Sequence, residues 1–218
     1  MVEQDSQSRV AAVVIMAAGA GTRMRSAIPK VLHRVAGKSM VALAIDTADA
    51  LAPERLVVVV GHQRELVAEH LAEVAPHVTI AVQEQPLGTG DAVRAGLSAL
   101  PGVTGEVVVT SGDVPLLAPE TLLDLVAAHR EEANAVTILT AVVPDPTGYG
   151  RIVREGEEVA RIVEQSDATD AELGLAEINA GIYVFDAATL GEGLAALQAK
   201  NTQGELYLTD VIAHARAA

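Results

Sequence analysis

The chain has 218 residues, half of them hydrophobic, a formal net charge of −14, and neither cysteine nor tryptophan. The charge repels polyanions at long range. With Phe185, Tyr149, Tyr183 and Tyr207 as the only aromatics there is little to stack on bases, so composition argues against DNA, RNA or an anionic membrane as partner. Without cysteine there are no disulfides, thiolate catalysis or Cys-ligated metals, which suits a reducing cytoplasm, and the length suits one core in a single α/β domain.

Residues 1–8 are polar, and the apolar run that follows to residue 18 is shorter than the roughly 20 residues that span a bilayer. It lacks a positive leading segment, so residues 10–16 read as a core strand, with neither signal peptide nor anchor expected. Directly after it stands a loop suited to phosphate. Gly19 and Gly21 permit backbone angles that turn successive N–H groups toward an anion, and Arg23, Arg25 and Lys30 add positive charge. The position three after Gly21 is Met24, so the dinucleotide fingerprint is incomplete, and the Walker spacing is absent. A plain strand-to-helix turn remains the alternative.

Residues 40–51 place Met40, Leu43, Ala44, Thr47 and Leu51 on one helical stripe. Residues 56–60 form a β-branched run without alternation, as in a parallel strand covered on both faces. Residues 64–74 are helical and 78–82 a strand. A polar segment, 83–90, leads to a helix over 91–100. Residues 106–110 are a strand broken at 111–116, and a helix over 119–132 begins with proline before a strand over 136–143. Alternating strands and helices predict a doubly wound, Rossmann-like, mostly parallel sheet. In such a sheet the loops at 17–30, 83–90 and 111–116 leave strands at the edge where ligands bind.

From Pro144 the pattern changes. Strand-like pieces at 152–154 and 159–163, an acidic loop over 164–172 and a strand over 178–185, interrupted at Asn179-Ala180-Gly181, predict a small β-rich insertion. Helices are expected over 190–199 and 208–217. The expected organisation is one domain over 1–218, divided into a core at about 10–143, an insertion at about 144–185 and terminal helices at about 186–218.

Asp113 ends a strand immediately after glycine. One hard carboxylate combined with substrate phosphates is a common way of holding Mg²⁺, and its pairing with a cationic loop on the same edge favours that over a turn cap. Gly88 and Thr89 lie where the backbone can approach a flat ligand, and Gln83 offers a donor and an acceptor to a pyrimidine edge. Glu164 and Asn179 suit sugar hydroxyls or an amide. The six histidines lack metal-like spacing and receive no role.

Together these motifs resemble the sugar-phosphate nucleotidyltransferases, and most closely the uridyltransferase domain of the bacterial bifunctional N-acetylglucosamine-1-phosphate enzymes. The likeness runs through Ala17-Ala18-Gly19-x-Gly21-Thr22-Arg23-Met24, Pro29-Lys30-Val31-Leu32-His33, Gly88-Thr89-Gly90, Gly112-Asp113-Val114-Pro115-Leu116, Gly148-Tyr149-Gly150-Arg151, Asp167-Ala168-Thr169-Asp170 and Glu205-Leu206-Tyr207-Leu208-Thr209-Asp210. It implies Mg²⁺-dependent transfer of UMP from UTP to N-acetylglucosamine 1-phosphate in the cytoplasm, supplying a cell-wall precursor. A glucose-1-phosphate type and a catalytically weak nucleotide-binding fragment are the alternatives. By carry-over, Arg23, Lys30 and Asp113 would be catalytic, with Asp113 holding Mg²⁺. Ala18, Gly19, Gln83, Gly88 and Thr89 would take the uridine side, and Gly150, Glu164, Asn179 and Thr209 the sugar.

Three positions depart from the family pattern: Ser111 where many relatives have Tyr, Asp91 where His is common, and Ser166 where a basic residue is frequent. The family's second Mg²⁺-ligating asparagine lies beyond the last helix read here, and the hexapeptide-repeat acetyltransferase half is not in this sequence. Acetyl transfer is therefore not expected, and neither is the trimer built by that half; a monomer is.

Overall fold

A computed structural model describes residues 9–21 and 24–217. Its centre is strand β1, Ala12–Ala17, flanked in parallel by β4, Leu56–Val60, and β6, Glu106–Ser111, with β5, Thr79–Val82, beyond β4. Between β1 and β4 lie a 3₁₀ turn over Lys30–Leu32, a short hairpin of β2, Arg34–Val35, and β3, Lys38–Ser39, and helix α1, Met40–Asp49. Helices α2, Arg64–Val74, α3, Thr89–Ser98, and α4, Pro119–Glu131, make the later crossovers.

The period of two in a strand explains why these strands carry no polar face. Val13 and Ile15 join Val58, Val60 and Val108 in a core with α1, α2 and α4. Ala12 and Val14 join Val57, Val59, Val107 and Val109 in a second core on the opposite face, with α3 and the C-terminal helices. Both faces are covered, as the unbroken β-branched runs require, and the doubly wound sheet expected from the sequence is found.

The sheet order is β5-β4-β1-β6-β10-β8-β9, with β7 paired to β10. Strand β10, Glu177–Asp186, runs antiparallel to β6 through Tyr183–Asp186, to β8, Arg151–Glu155, at Ile178, and to β7, Val136–Val142, over most of its length. It shifts register between Asn179 and Tyr183, where Gly181 has φ +74 and its N–H donates to Asn179 Oδ1 at 2.9 Å. Strand β9, Glu158–Val163, closes a hairpin with β8.

Three expectations are corrected in detail. The acidic loop after β9 contains a helical turn, α5, Asp170–Leu173, because Thr169 and Glu172 form a reciprocal capping box. Helix α6 spans Ala187–Ala196 and starts three residues before the expected 190, because Asp186 Oδ1 accepts from the N–H groups of Ala188 and Thr189 and caps it. Helix α7, Asp210–Ala217, starts two residues after the expected 208, because the N–H groups of Val211 and Ile212 reach back three residues, to Leu208 O and Thr209 O, in a turn that precedes it. Among the described residues, no helix is long and apolar enough to cross a membrane.

Candidate active site

Register aligns the carboxyl ends of the four parallel strands. Ala17 lies opposite Val60, Val60 opposite Val82, and Met16 opposite Ser111. The loops leaving them enclose a cleft of about 490 Å³. Seven of the residues selected from the sequence line it: Ala18, Gly19, Lys30, Gln83, Gly88, Thr89 and Asp113. The eighth expectation for this side, Arg23, lies outside the described residues. Met24, Pro86, Ser111 and Glu205 also line the cleft; nothing local in the sequence distinguishes Pro86 from ordinary loop residues, and Glu205 is marked only by opening the family-like segment 205–210.

Lys30 and Asp113 are joined by an ion pair, Nζ to Oδ2, each about one-third exposed. Gly21 makes room for Lys30: its φ is +60, and a β-carbon there would stand 2.7 Å from Lys30 Cβ. The second Asp113 oxygen accepts from Ser111 Oγ at 2.6 Å. Burial pushes the Asp113 carboxyl up, but the Lys30 ammonium and the Ser111 hydroxyl outweigh it and hold the group below the usual range. It is therefore ionised at neutral pH. Ser111, noted only as a departure from the family pattern, is thus the residue that orients Asp113.

The opposite wall is a zipper between loop 87–90 and segment 205–208. Leu206 N–H donates to Leu87 O at 2.7 Å, Gly90 N–H to Leu206 O at 2.8 Å, and Leu208 N–H to Thr89 Oγ1 at 3.0 Å. Gly88 has φ +113, and a β-carbon on it would meet Leu206 O at 2.5 Å, so the approach requires glycine. Gln83 is expected to show both a donor and an acceptor to a ligand, and here the structure corrects the reading. Its Nε2 already donates to Gly88 O at 3.0 Å and to Asp91 Oδ2 at 2.9 Å, leaving the acceptor Oε1 for the cleft.

Gly150, Glu164, Asn179 and Thr209 form a second cluster and are not among the residues lining the cleft. Thr209 Oγ1 donates to Glu164 Oε1 at 3.2 Å, Asn179 N–H donates to Gly150 O at 2.9 Å, and a β-carbon on Gly150 would come 3.4 Å from Glu164 Oε2. Both heteroatoms of the Asn179 side chain have internal partners: Nδ2 donates to Tyr183 Oη at 2.6 Å and Oδ1 accepts from Gly181 N–H. Glu164 is held above the usual carboxylate range by burial, opposed by the Thr209 hydroxyl and reinforced by Asp210, Asp167 and Glu205. Next to Gly150 in the chain is Arg151, 2% exposed, whose guanidinium donates to Tyr149 O and, at 2.9 Å, to Gln165 Oε1, which also accepts Gly148 N–H at 3.1 Å. Its Nε is buried and lacks a partner among the described residues.

Among the described residues no three His, Cys, Asp or Glu side chains stand close enough to form a metal cage. The donor set instead fits a divalent cation that takes one carboxylate, Asp113, and fills its remaining positions from a ligand's phosphates and water. The arrangement offers a cation, an ionised carboxylate and a flat, acceptor-bearing wall to a phosphorylated ligand.

The bifunctional protein GlmU of Cutibacterium acnes is 59% identical over 203 residues, covering 93% of this chain and 49% of that protein. GlmU of Streptomyces coelicolor is 55% identical over 216 residues, covering 98% and 45% respectively. The chain thus spans about half the length of these relatives. A crystal structure of UDP-glucose pyrophosphorylase complexed with UDP-glucose superposes with a TM-score of 0.77 over 96% of this chain and 88% of that one, at 19% identity, a likeness of fold. The nucleotidyl transferase family model matches residues 12–218, which takes in the whole cleft from β1 to the segment at Glu205, and the chain belongs to that family.

Proposed function

We propose that this chain transfers UMP from UTP to N-acetylglucosamine 1-phosphate, giving UDP-N-acetylglucosamine and pyrophosphate. The observation that carries the reading is the joining of the Lys30–Asp113–Ser111 group and the Gln83–Gly88 wall in one cleft, on a chain that is 59% identical to a GlmU protein. A phosphate oxygen of the sugar phosphate attacks the α-phosphorus of UTP. The bond from that phosphorus to the bridging oxygen breaks, and its electron pair leaves with pyrophosphate. No side-chain nucleophile is needed, so the protein contributes positioning and charge.

Each residue has a duty in that scheme. Lys30, with Arg23, neutralises phosphate charge, while Ala18 and Gly19 let the backbone lie close to the nucleotide. Gln83 accepts from the uracil edge, and Gly88 and Thr89 hold the wall against it. Glu164, Thr209, Asn179 and Gly150 present acceptors and donors to the sugar. Asp113 would hold Mg²⁺, which when bound supplies charge neutralisation to the phosphates. The reaction is proposed for the cytoplasm, with this chain acting as a monomer.

The test is pyrophosphate release with UTP, each of several sugar 1-phosphates, and Mg²⁺. Release should require all three, with the N-acetylated sugar giving the highest kcat/KM. A higher kcat/KM with glucose 1-phosphate overturns the sugar assignment. Tight UTP binding without turnover at any Mg²⁺ concentration overturns transfer and makes the chain a nucleotide-binding module.

A further inference from the structure

The base-facing side of the cleft is braced in a way that phosphoryl transfer itself does not demand. Gln83 is 9% exposed, and its amide is held from behind by two groups that can only accept, the Gly88 carbonyl and the Asp91 carboxylate. Only the NH₂ end can face two acceptors, so the amide has one stable orientation. Its Oε1 has no partner among the described residues and is the polar atom Gln83 can offer to the cleft it lines. The carboxylate of Asp91, 15% exposed, takes Arg94 Nη2 at 2.5 Å on its other oxygen, so one group is held between the glutamine and a half-exposed guanidinium. The carbonyl of Gly88 is fixed too, because its backbone is zipped to Leu206.

We propose that Asp91, backed by Arg94, is a specificity-determining positioning residue that pins Gln83 with its acceptor inward and so selects nucleobases carrying a ring N–H donor. The proposal deepens the uridyltransferase reading and rests on it for the identity of the cleft. Uracil presents N3–H to that oxygen. Cytosine presents a lone pair at the same ring position, and two facing acceptors repel. A binding site whose polar group is left unpaired, or faces a like group, discriminates far more sharply than an apolar pocket does. Reversing the amide to suit cytosine would turn its oxygen toward Gly88 O and the Asp91 carboxylate together. Asp91→Asn removes the charge and lets the new side chain turn its NH₂ toward Gln83, which relieves the larger of those two penalties.

The experiment measures UTP and CTP binding by calorimetry for the wild-type chain and Asp91→Asn, alongside pyrophosphate release from both. The wild type should favour UTP, and the UTP-to-CTP affinity ratio should fall by about tenfold in the variant, the size of one hydrogen bond to a charged group. A general loosening of the fold weakens both nucleotides alike and leaves the ratio unmoved. An unchanged ratio, or equal affinities in the wild type, overturns the proposal. Retained discrimination without pyrophosphate release overturns the transfer reading alone. Should the variant fail to fold, the wild-type Gln83 side-chain amide decides by NMR, assigned by its loss in Gln83→Met. Slow exchange of both its protons without nucleotide supports the pin, and exchange as fast as in exposed glutamines overturns it.

Discussion

Asp113 and Glu164 carry the same functional group in opposed settings. The Lys30 ammonium and Ser111 hydroxyl overcome burial at Asp113, whereas at Glu164 burial prevails and neighbouring carboxylates add to it. Asp113→Asn keeps the shape and removes the charge, so turnover should fall about 100-fold, as for loss of one electrostatic group at the reacting phosphates. The fold should lose less than about 1 kcal/mol, since a partly exposed ion pair contributes little. Steady-state kinetics with a urea titration checks both, and unchanged kcat at limiting Mg²⁺ would remove Asp113 from its role. Glu164 is different. The native state binds its proton more tightly than the unfolded chain does, so its contribution is fully present below the ordinary Glu pKa and is lost as pH climbs through the raised native value. At pH 7 the group costs stability, because the unfolded chain ionises it more readily than the native state does. Glu164→Gln should therefore raise Tm at pH 7, the gain should vanish near pH 4, and kcat/KM for the sugar phosphate should drop. A lower Tm at pH 7 than at pH 4, relative to wild type, would reverse this account.

At the scale of elements, the decisive contact joins parts of the chain 118 residues apart, Gly88 against Leu206. Gly88→Ala must place a β-carbon 2.5 Å from Leu206 O on a backbone at φ +113, so the variant should lose about 3 kcal/mol of stability. Gly19→Ala, with nothing within 4 Å of the added atom, should lose far less. Urea unfolding of the two variants distinguishes them, and equal losses would mean that the zipper does not brace the cleft. Local patterns could not reveal such a contact. They did identify the strands at 56–60 and 106–110, because doubly covered strands are written as unbroken apolar runs. They also identified the converging loops, because parallel topology sends them all to one edge. What they missed depended on distant partners. Asp186 falls just past the strand expected over 178–185 and has no role until its oxygen is seen capping α6. Asp91 and Ser111 stand only as departures from the family pattern until Gln83 and Asp113 are found beside them.

In the whole molecule, β10 decides whether the β-rich insertion behaves as a separate unit. One strand pairs with β6 and β7 of the core through Tyr183–Phe185 and with β8 of the hairpin at Ile178, so the hairpin and the core share a backbone ladder. Further ties run from the loop after β9, where Asp167 accepts Thr202 N–H at 2.8 Å and Glu164 accepts from Thr209, and α7 packs into the same apolar cluster as β9 and α6. Unfolding the hairpin alone would strip one edge from β10 and expose Ile152 and Ile162, both buried in the cluster that also holds Tyr183 and Phe185. The chain should therefore unfold in one transition, although at 218 residues it is larger than most two-state domains. Without tryptophan, the near-ultraviolet signal comes chiefly from Tyr149 just before β8, Tyr183 on β10 and Tyr207 between α6 and α7, while far-ultraviolet dichroism is weighted toward the core helices. Urea midpoints from the two signals should coincide, and saturating UTP should shift both equally, because a ligand bound to the native state stabilises every part that unfolds with it. A part of the tyrosine signal that is lost before the helix, at a midpoint that UTP leaves in place, would show instead that the hairpin opens on its own while β10, with Tyr183, is held by the core.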